Sequence, residues 1–149
     1  MKSHFCGVKS SRQIYLPLKI PNNLKRQINL PITLKMEKLK LLFVCSQNKR
    51  RSLTAEKMFK DNPDFDVKSA GTENNARVKI TLGMIRWADL IFLMERKHRD
   101  RLKQHYAEDI NPRIRNKTCI TFNIPDDFTF MQPELIDILE DHLAEHFDF

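Results

Sequence analysis

Short segments of strand character recur along the chain after residue 36, and polar or turn-forming residues bound each of them. They are five or six residues long, and most are rich in apolar, β-branched or aromatic side chains, as buried strands are. They predict four strands, at residues 39–44, 66–70, 89–94 and 117–122.

Helical signals separate and follow these segments. Ser52 is predicted as the N-cap of a helix that stops before Pro63, and a weak apolar stripe predicts a second helix over residues 78–87. Residues 95–106 predict a strongly charged third helix. The last helix begins near Pro133, and residues spaced four apart supply its buried face: Leu135, Leu139, Leu143 and Phe147.

This order of elements points to one fold class. Strands that alternate with helices require right-handed crossovers and a parallel sheet covered on both faces. We therefore expect an α/β three-layer sandwich, with a four-stranded parallel sheet flanked by helices. Ligands of such sheets bind beyond the carboxyl ends of the strands. Cys45 and Asp126 each follow a strand end, so we expect them to share one rim.

Residues 1–36 differ in composition from the rest of the chain. They hold seven Lys or Arg residues and no Asp or Glu, whereas residues 37–149 hold 19 basic and 19 acidic residues. We expect a basic N-terminal extension that is not part of the domain formed by residues 37–149. It has the composition of a transit peptide, or of a stretch translated from too early a start upstream of Met36. Because the excess charge belongs to this extension, we expect no binding to nucleic acid.

The cysteines and the hydropathy bear on the compartment. Cys6, Cys45 and Cys119 show neither close pairing nor metal-ligand spacing, which disfavours a disulfide framework or a zinc site and favours a reducing compartment. No stretch approaches the ~18 uninterrupted apolar residues of a membrane span. We expect a cytoplasmic protein that does not associate with membranes, with Cys119 as a small buried hydrophobe.

The chemistry of the chain is concentrated in residues 45–52, which we call the anion loop. A loop between a strand and a helix directs several backbone N–H groups, and the positive end of the helix dipole, at one point. A cysteine in that field is favoured as the thiolate and can act as a nucleophile. The planar guanidinium of Arg51 can grip two oxygens of a phosphate. Three cations at residues 49–51 lie where the dipole disfavours them, which calls for an anionic partner.

The anion loop resembles the active-site signature of the low-molecular-weight protein tyrosine phosphatases. The signature reads Cys45-Ser46-Gln47-Asn48-Lys49-Arg50-Arg51-Ser52, followed by Thr54-Ala55-Glu56. Residues 69–72, 87–94 and 126–128 resemble further segments of that family, and the resemblance spans residues 38–147. It implies a phosphotyrosine protein phosphatase I-like fold, in a compact branch of the family.

The resemblance also implies roles for individual residues. Cys45 would attack phosphorus and carry a phosphocysteine intermediate, Arg51 would clamp the phosphate, and Asp126 would act as general acid and then general base. Asn48 would hold the shape of the loop, and the Ser52 hydroxyl would support the thiolate. Neither a metal nor another cofactor is implied. The phosphate would be cradled by the backbone of Ser46, Gln47, Asn48, Lys49, Arg50, Arg51 and Ser52.

Three departures from the family pattern affect the expected substrate. Arg50 stands where many members carry a second cysteine, and with Lys49 it favours an acidic phosphorylated substrate. Asp127 replaces the proline of the acid loop (residues 124–128), so Asp126 and Asp127 are both candidate acids; the register with Phe128 favours Asp126. Because residues 72–79 contain no aromatic residue, Phe128 alone would flank the cleft.

The expected partners are a phosphorylated protein or a small aryl phosphate, with phosphate or a similar oxyanion in the loop. Three alternatives remain open at this point. Asp126 can instead be a turn or capping carboxylate. The domain can be a phosphate- or phosphoprotein-binding module with weak turnover. It can also be an arsenate reductase, although that reaction needs resolving thiols and the domain offers only Cys119 besides Cys45.

Overall fold

A computed structural model describes residues 38–147 of the chain. The predicted extension, residues 1–36, lies outside the described residues and stays a prediction. The described part contains four strands and four helices in alternation. In chain order they are β1 Leu39–Cys45, α1 Arg51–Phe59, β2 Phe65–Gly71, α2 Leu82–Trp87, β3 Leu90–Leu93, α3 Arg96–Arg115, β4 Cys119–Thr121 and α4 Pro133–Ala144.

The four strands form one sheet in the order β2-β1-β3-β4, and every pair is parallel. This arrangement confirms the predicted fold class. From β1 the chain passes through α1 to β2, which lies on one side of β1, and β3 lies on the other side. The carboxyl end of β1 is therefore the point where the winding of the sheet reverses, which is the usual ligand-binding position in open α/β sheets.

Helices cover both faces of the sheet, so side chains that alternate along β1 enter two separate cores. Leu41 and Phe43 face the core closed by α1 and α4. Leu42 and Val44 face the core closed by α2 and α3. Both sets are fully buried, which explains why β1 is a continuous apolar run instead of an alternating one.

Phenylalanine rings dominate the core under α1 and α4. Phe43 stacks on Phe92 at 5.4 Å between ring centroids, and Phe92 stacks on Phe122 at 5.1 Å. Offset stacks of this kind add to the stabilisation from burial. They tie β1, β3 and the segment after β4 together just below the rim where the functional loops emerge.

Several predicted helix boundaries were wrong: α2 begins at Leu82 and not at residue 78, and α4 ends at Ala144, before Phe147. Helix α1 begins at Arg51, with Arg50 at the N-cap position and no side-chain cap, so Ser52 does not cap the helix. Its buried hydroxyl bonds elsewhere, as described below. The charged helix predicted over residues 95–106 ends at a kink, because Tyr106 has non-helical backbone angles (φ −137°, ψ 38°); a second helical segment, which contains Pro112, continues α3 from this kink to Arg115. No helix within residues 38–147 is both long and apolar enough to cross a bilayer.

Candidate active site

The anion loop turns sharply from the end of β1 into the first turn of α1. The turn needs one residue in the left-handed region, and Asn48 adopts it with φ of 60°. Asparagine tolerates this conformation better than most residues because its short polar side chain makes local hydrogen bonds. Asn48 is fully buried, so its side chain is part of the support of the loop.

Four successive carbonyl groups of the anion loop are held by the segment that follows β2. The carbonyls of residues 45, 46 and 47 accept from the backbone N–H groups of Thr72, Glu73 and Arg77 at 3.0, 3.0 and 2.9 Å. The Asn48 carbonyl accepts from the Arg77 guanidinium at 3.1 Å. With the carbonyl oxygens engaged on one side, the loop can present its N–H groups on the other, as an anion site requires.

Gly71 makes this close approach of the two segments possible. A β-carbon at this position would lie 2.7 Å from Ala76 Cβ and 3.0 Å from the backbone carbon of Gln47, and closer still to the Ser46 carbonyl oxygen. Backbone atoms cannot yield as a flexible side chain can. A glycine is therefore required here for space and not for a special φ angle.

Hydrogen-bond donors surround the sulfur of Cys45. The Ser52 hydroxyl lies 2.9 Å from Sγ, and the Asn48 backbone N–H donates to Sγ at 3.3 Å. The Asn48 side-chain amide donates to Ser52 Oγ at 2.8 Å, and the Ser52 hydroxyl has two possible acceptors of its own: Cys45 Sγ at 2.9 Å and the Ala70 carbonyl at 3.4 Å, of which the sulfur is the nearer. Donors of this kind stabilise a thiolate over a thiol.

A chain of buried polar groups continues behind Asn48. Its amide also donates to Ser69 Oγ at 2.8 Å, and the Ser69 hydroxyl donates to Glu56 Oε1. The carboxylate of Glu56 lies 3.9 Å from a guanidinium nitrogen of Arg77. A network in which buried donors find acceptors specifies one geometry, so it fixes Asn48 and, through it, the curvature of the loop.

Arg51 is the largest buried side chain in the described residues, at 1% exposure. One terminal nitrogen donates to Glu95 Oε1 at 2.7 Å and to the Ile124 carbonyl at 2.8 Å. Burial alone would raise the pKa of Glu95, but the hydrogen bond and the charge of Arg51 outweigh it and leave that pKa lowered. Arg51 Nε makes no hydrogen bond within residues 38–147, although the Asp126 carboxylate lies within ion-pair distance of it.

Asp126 lies above the buried guanidinium. Its Oδ1 is 3.5 Å from Arg51 Nε and 3.9 Å from a terminal nitrogen of Arg50, and about half of its side chain is exposed. Asp127 is also exposed, and it makes neither an ion pair nor a side-chain hydrogen bond within residues 38–147. Asp126, and not Asp127, therefore lies beside the Arg51 guanidinium.

The two phenylalanines that follow the acid loop candidates differ in exposure. Phe128 is half-buried and packs against the core under α1 and α4. Phe130, two residues on, is 44% exposed. The backbone N–H of Met131 donates to Thr54 Oγ1 at 2.9 Å, which fixes this segment to α1.

Sequence reasoning missed Glu95, His98 and Arg77. Glu95 follows Met94 directly after β3, the strand beside β1, so an acid at that rim was the available signal. His98 is 1% exposed, and its Nε2 lies 2.9 Å from Ser46 Oγ. The roles of His98 and Arg77 could not be predicted from the sequence, because each residue contacts the anion loop from a distant segment of the chain.

Two other expectations concern thiols and metals. Burial raises the pKa of the Cys119 thiol to about 12, as expected of a small buried hydrophobe. Cys45 and Cys119 are both free, and they belong to different cores. Within residues 38–147, no cluster of three or more His, Cys, Asp or Glu side chains could hold a metal ion.

The architecture matches that of solved phosphatases. The low molecular weight protein tyrosine phosphatase SP-PTP from Streptococcus pyogenes is 18% identical, with a TM-score of 0.55, and the match covers 72% of this chain and 92% of that one. The tyrosine phosphatase Wzb from Escherichia coli K30, in complex with phosphate, is 18% identical (TM-score 0.57; 73% and 96%). The YwlE arginine phosphatase from Geobacillus stearothermophilus is 20% identical (TM-score 0.53; 72% and 97%).

The sequence itself matches neither a protein-family model nor a curated protein. The structural matches cover nearly the whole of the solved chains. The chain therefore has the fold of the low molecular weight protein tyrosine phosphatases, which confirms the fold that the resemblance implied.

Replacing Gly71 with alanine should push the anion loop away from the segment after β2. We expect a loss of roughly 1–3 kcal/mol of unfolding free energy, the usual cost of overpacking, together with weaker binding of inorganic phosphate. Gly83→Ala is the matched control, because the nearest atom to its new methyl group is Thr81 Oγ1 at 3.8 Å. Urea unfolding and phosphate titration measure both effects. Equal changes in stability and in phosphate affinity for the two variants would show that the anion loop does not depend on the small volume of Gly71.

Stability should fall as the pH is lowered from about 6.5 to about 4. Burial, and next the charge of Arg51, lower the pKa of His98 from 6.5 to about 4, so in that window the unfolded chain binds a proton that the folded protein does not. The loss from this residue is roughly 3 kcal/mol if complete. Urea unfolding between pH 7.5 and 5 should show a shallower dependence in His98→Gln than in the wild type.

His146 provides the comparison, because burial also lowers its pKa. His146→Gln should remove a separate part of the same acid dependence and leave the contribution of His98 in place. Parallel pH curves for the wild type and His98→Gln would show that His98 is not the group responsible.

Proposed function

We propose that this protein is a cysteine-dependent phosphomonoester hydrolase, a protein-tyrosine-phosphatase-like enzyme of the cytoplasm. The observation that carries the proposal is the convergence of three groups at one strand-end rim. Cys45 Sγ is surrounded by donors, Arg51 is buried with an Nε that makes no hydrogen bond within residues 38–147, and Asp126 lies 3.5 Å from that nitrogen. The fold shared with Wzb, which was solved with phosphate, supports an oxyanion in the same loop.

In the first step, the Cys45 thiolate attacks phosphorus and the P–O ester bond breaks. Asp126 gives its proton to the departing oxygen, and the phosphoryl group is left on sulfur as a phosphocysteine. Arg51 and the N–H groups of residues 46–52 stabilise the negative charge on the equatorial oxygens. Ser52 supports the thiolate before the attack, through the hydroxyl 2.9 Å from Sγ.

In the second step, water attacks the phosphocysteine and the S–P bond breaks. The Asp126 carboxylate, now deprotonated, takes a proton from the attacking water, and the Cys45 thiolate is regenerated as phosphate leaves. The partial exposure of Asp126 suits this role, since one face of the carboxylate must reach Arg51 and the other must reach substrate or water.

The exposed cations at the start of α1 bear on the substrate. Lys49 and Arg50 are both exposed beside the loop. They favour phosphorylated proteins with acidic residues near the phosphate, or an aryl phosphate. They disfavour phosphoarginine, the substrate suggested by the name of one structural neighbour, because its guanidinium would meet like charge.

The two other activities have weaker support. Arsenate reduction needs a resolving thiol close to the nucleophile, and Cys119 lies in the opposite core with its pKa raised to about 12 by burial. A binding module without efficient turnover would not need a carboxylate above Arg51. Nucleic acid and membranes are not among the proposed partners.

Three variants test the roles in turnover of aryl phosphates in the presence of a metal chelator. Cys45→Ser should abolish turnover, and Asp126→Asn should lower kcat by roughly 10²–10⁴-fold, the usual contribution of general acid–base catalysis. The loss in Asp126→Asn should shrink with a better leaving group, because such a group needs less help from the acid. Asp127→Asn, the matched control, should change kcat less than about threefold.

The outcomes separate the candidates. Wild-type protein that binds phosphate but does not exceed the turnover of Cys45→Ser would favour the binding module. A larger loss in Asp127→Asn than in Asp126→Asn would transfer the acid role to Asp127.

The contribution of charge is tested by removing one exposed cation. Lys49→Gln should raise KM for an acidic phosphopeptide more than for a neutral one, and the difference should fade as salt is added. Lys60→Gln removes the same charge at the far end of α1, about 13 Å along a nine-residue helix, which exceeds the Debye length of about 8 Å at physiological salt. Equal effects of the two variants would rule out a local role for Lys49.

A further inference from the structure

His98 and Ser46 form a polar contact between the first turn of α3 and the anion loop. His98 Nε2 lies 2.9 Å from Ser46 Oγ, in a region where the imidazole is almost completely buried. Ser46 directly follows Cys45, so the contact acts on the first residue after the nucleophile. The catalytic steps proposed above make no use of it.

The partners of the imidazole ring determine its tautomer. The backbone N–H of Glu95 donates to Nδ1 at 3.0 Å, so Nδ1 presents a lone pair. Because burial and the nearby Arg51 lower the pKa of His98 to about 4, the ring is neutral at pH 7 and its single proton is on Nε2. His98 is therefore the donor and Ser46 Oγ is the acceptor in this contact.

The same turn of α3 also holds the other end of the loop. The Glu95 N–H donates to His98 Nδ1, as in a capping box, and the His98 N–H donates to the Glu95 carbonyl at 3.0 Å, so these two residues close the first turn of α3. The Glu95 carboxylate also accepts from Arg51 at 2.7 Å. One capped helix turn thus contacts Ser46 near the start of the anion loop and Arg51 near its end.

We propose that His98 is a positioning residue, which holds Ser46 through an Nε2–H···Oγ hydrogen bond and so fixes the start of the anion loop relative to Arg51. The inference rests on the proposed function of the loop as a phosphate site. Without this bond, Ser46 would be held from outside the loop by its carbonyl group alone, which accepts from the Glu73 N–H at 3.0 Å. The N–H groups that receive the phosphate would then be less well preorganised, and oxyanion affinity would fall.

Two nearly isosteric variants separate the donor role from the capping role. His98→Gln and His98→Glu can both accept from the Glu95 N–H, as residues at this position of a capping box do, but only glutamine can also donate to Ser46. Inorganic phosphate is titrated into each protein and followed by the NMR shifts of the loop amides. We expect His98→Gln to bind within about twofold of the wild type. His98→Glu and Ser46→Ala should each bind roughly 3- to 10-fold more weakly, the scale of one hydrogen bond.

The added charge of His98→Glu is controlled by a double-mutant cycle with Ser46→Ala. If the hydrogen bond carries the effect, His98→Glu should cost little further affinity in the Ser46→Ala background, whereas a simple field effect would be additive. Additive costs would overturn the proposal, as would a His98→Gln variant that binds as weakly as His98→Glu.

The ring ¹⁵N spectrum gives a readout that does not depend on phosphate. It should show His98 protonated at Nε2 and not at Nδ1 near pH 7, and a proton on Nδ1 would overturn the proposal. Wild-type protein that binds no phosphate would instead overturn the proposed function, and the spectrum would still report whether the hydrogen bond to Ser46 exists.

Discussion

The site depends on a buried cation. Arg51 is nearly inaccessible to solvent, and a guanidinium in that environment is stable only if its charge is paired, because an unpaired buried charge costs several kcal/mol. Its acceptors come from two distant parts of the chain: the Glu95 carboxylate after β3 and the Ile124 carbonyl after β4. Burying Arg51 thus requires the segments following β1, β3 and β4 to meet at one rim, and this meeting also brings Asp126 to its place above the guanidinium.

The second requirement is that backbone carbonyls be turned away from the anion site. The segment after β2 supplies donors to four successive carbonyls of the loop, and the small volume of Gly71 allows the approach. The buried network from Ser52 through Asn48 and Ser69 to Glu56 then holds the curvature from within. Local backbone geometry and long-range polar contacts agree on one conformation, which is the condition for a preorganised site.

The local sequence pattern was enough to predict the alternation of strands and helices and the parallel sheet. Apolar periodicity indicates which residues are buried, and the alternation of strands with helices indicates that the strands are parallel; both depend only on residues close in sequence. The partners of Arg51 and Ser46 were missed. Glu95 lies 44 positions from Arg51, and its place directly after β3 was the one signal that it shares the rim. His98 lies 52 positions from Ser46, and its side chain looks like any other in a charged helix. The predicted N-cap role of Ser52 was wrong for a related reason. Serine is a common N-cap residue, but the buried hydroxyl of Ser52 lies beside the Cys45 sulfur instead.

The separation of the two described cysteines by the sheet has a consequence for oxidation. Cys45 ends β1, Cys119 begins β4, and β3 lies between these strands, so two interstrand spacings alone separate the cysteines by about 10 Å, and the register displaces them by a further three residues along the strands. A disulfide requires Cα atoms within about 7 Å. A sulfenic acid formed on Cys45 therefore cannot be captured by Cys119 in this fold. Within residues 38–147 the oxidised sulfur has no partner thiol, and its rescue from over-oxidation depends on a thiol from elsewhere.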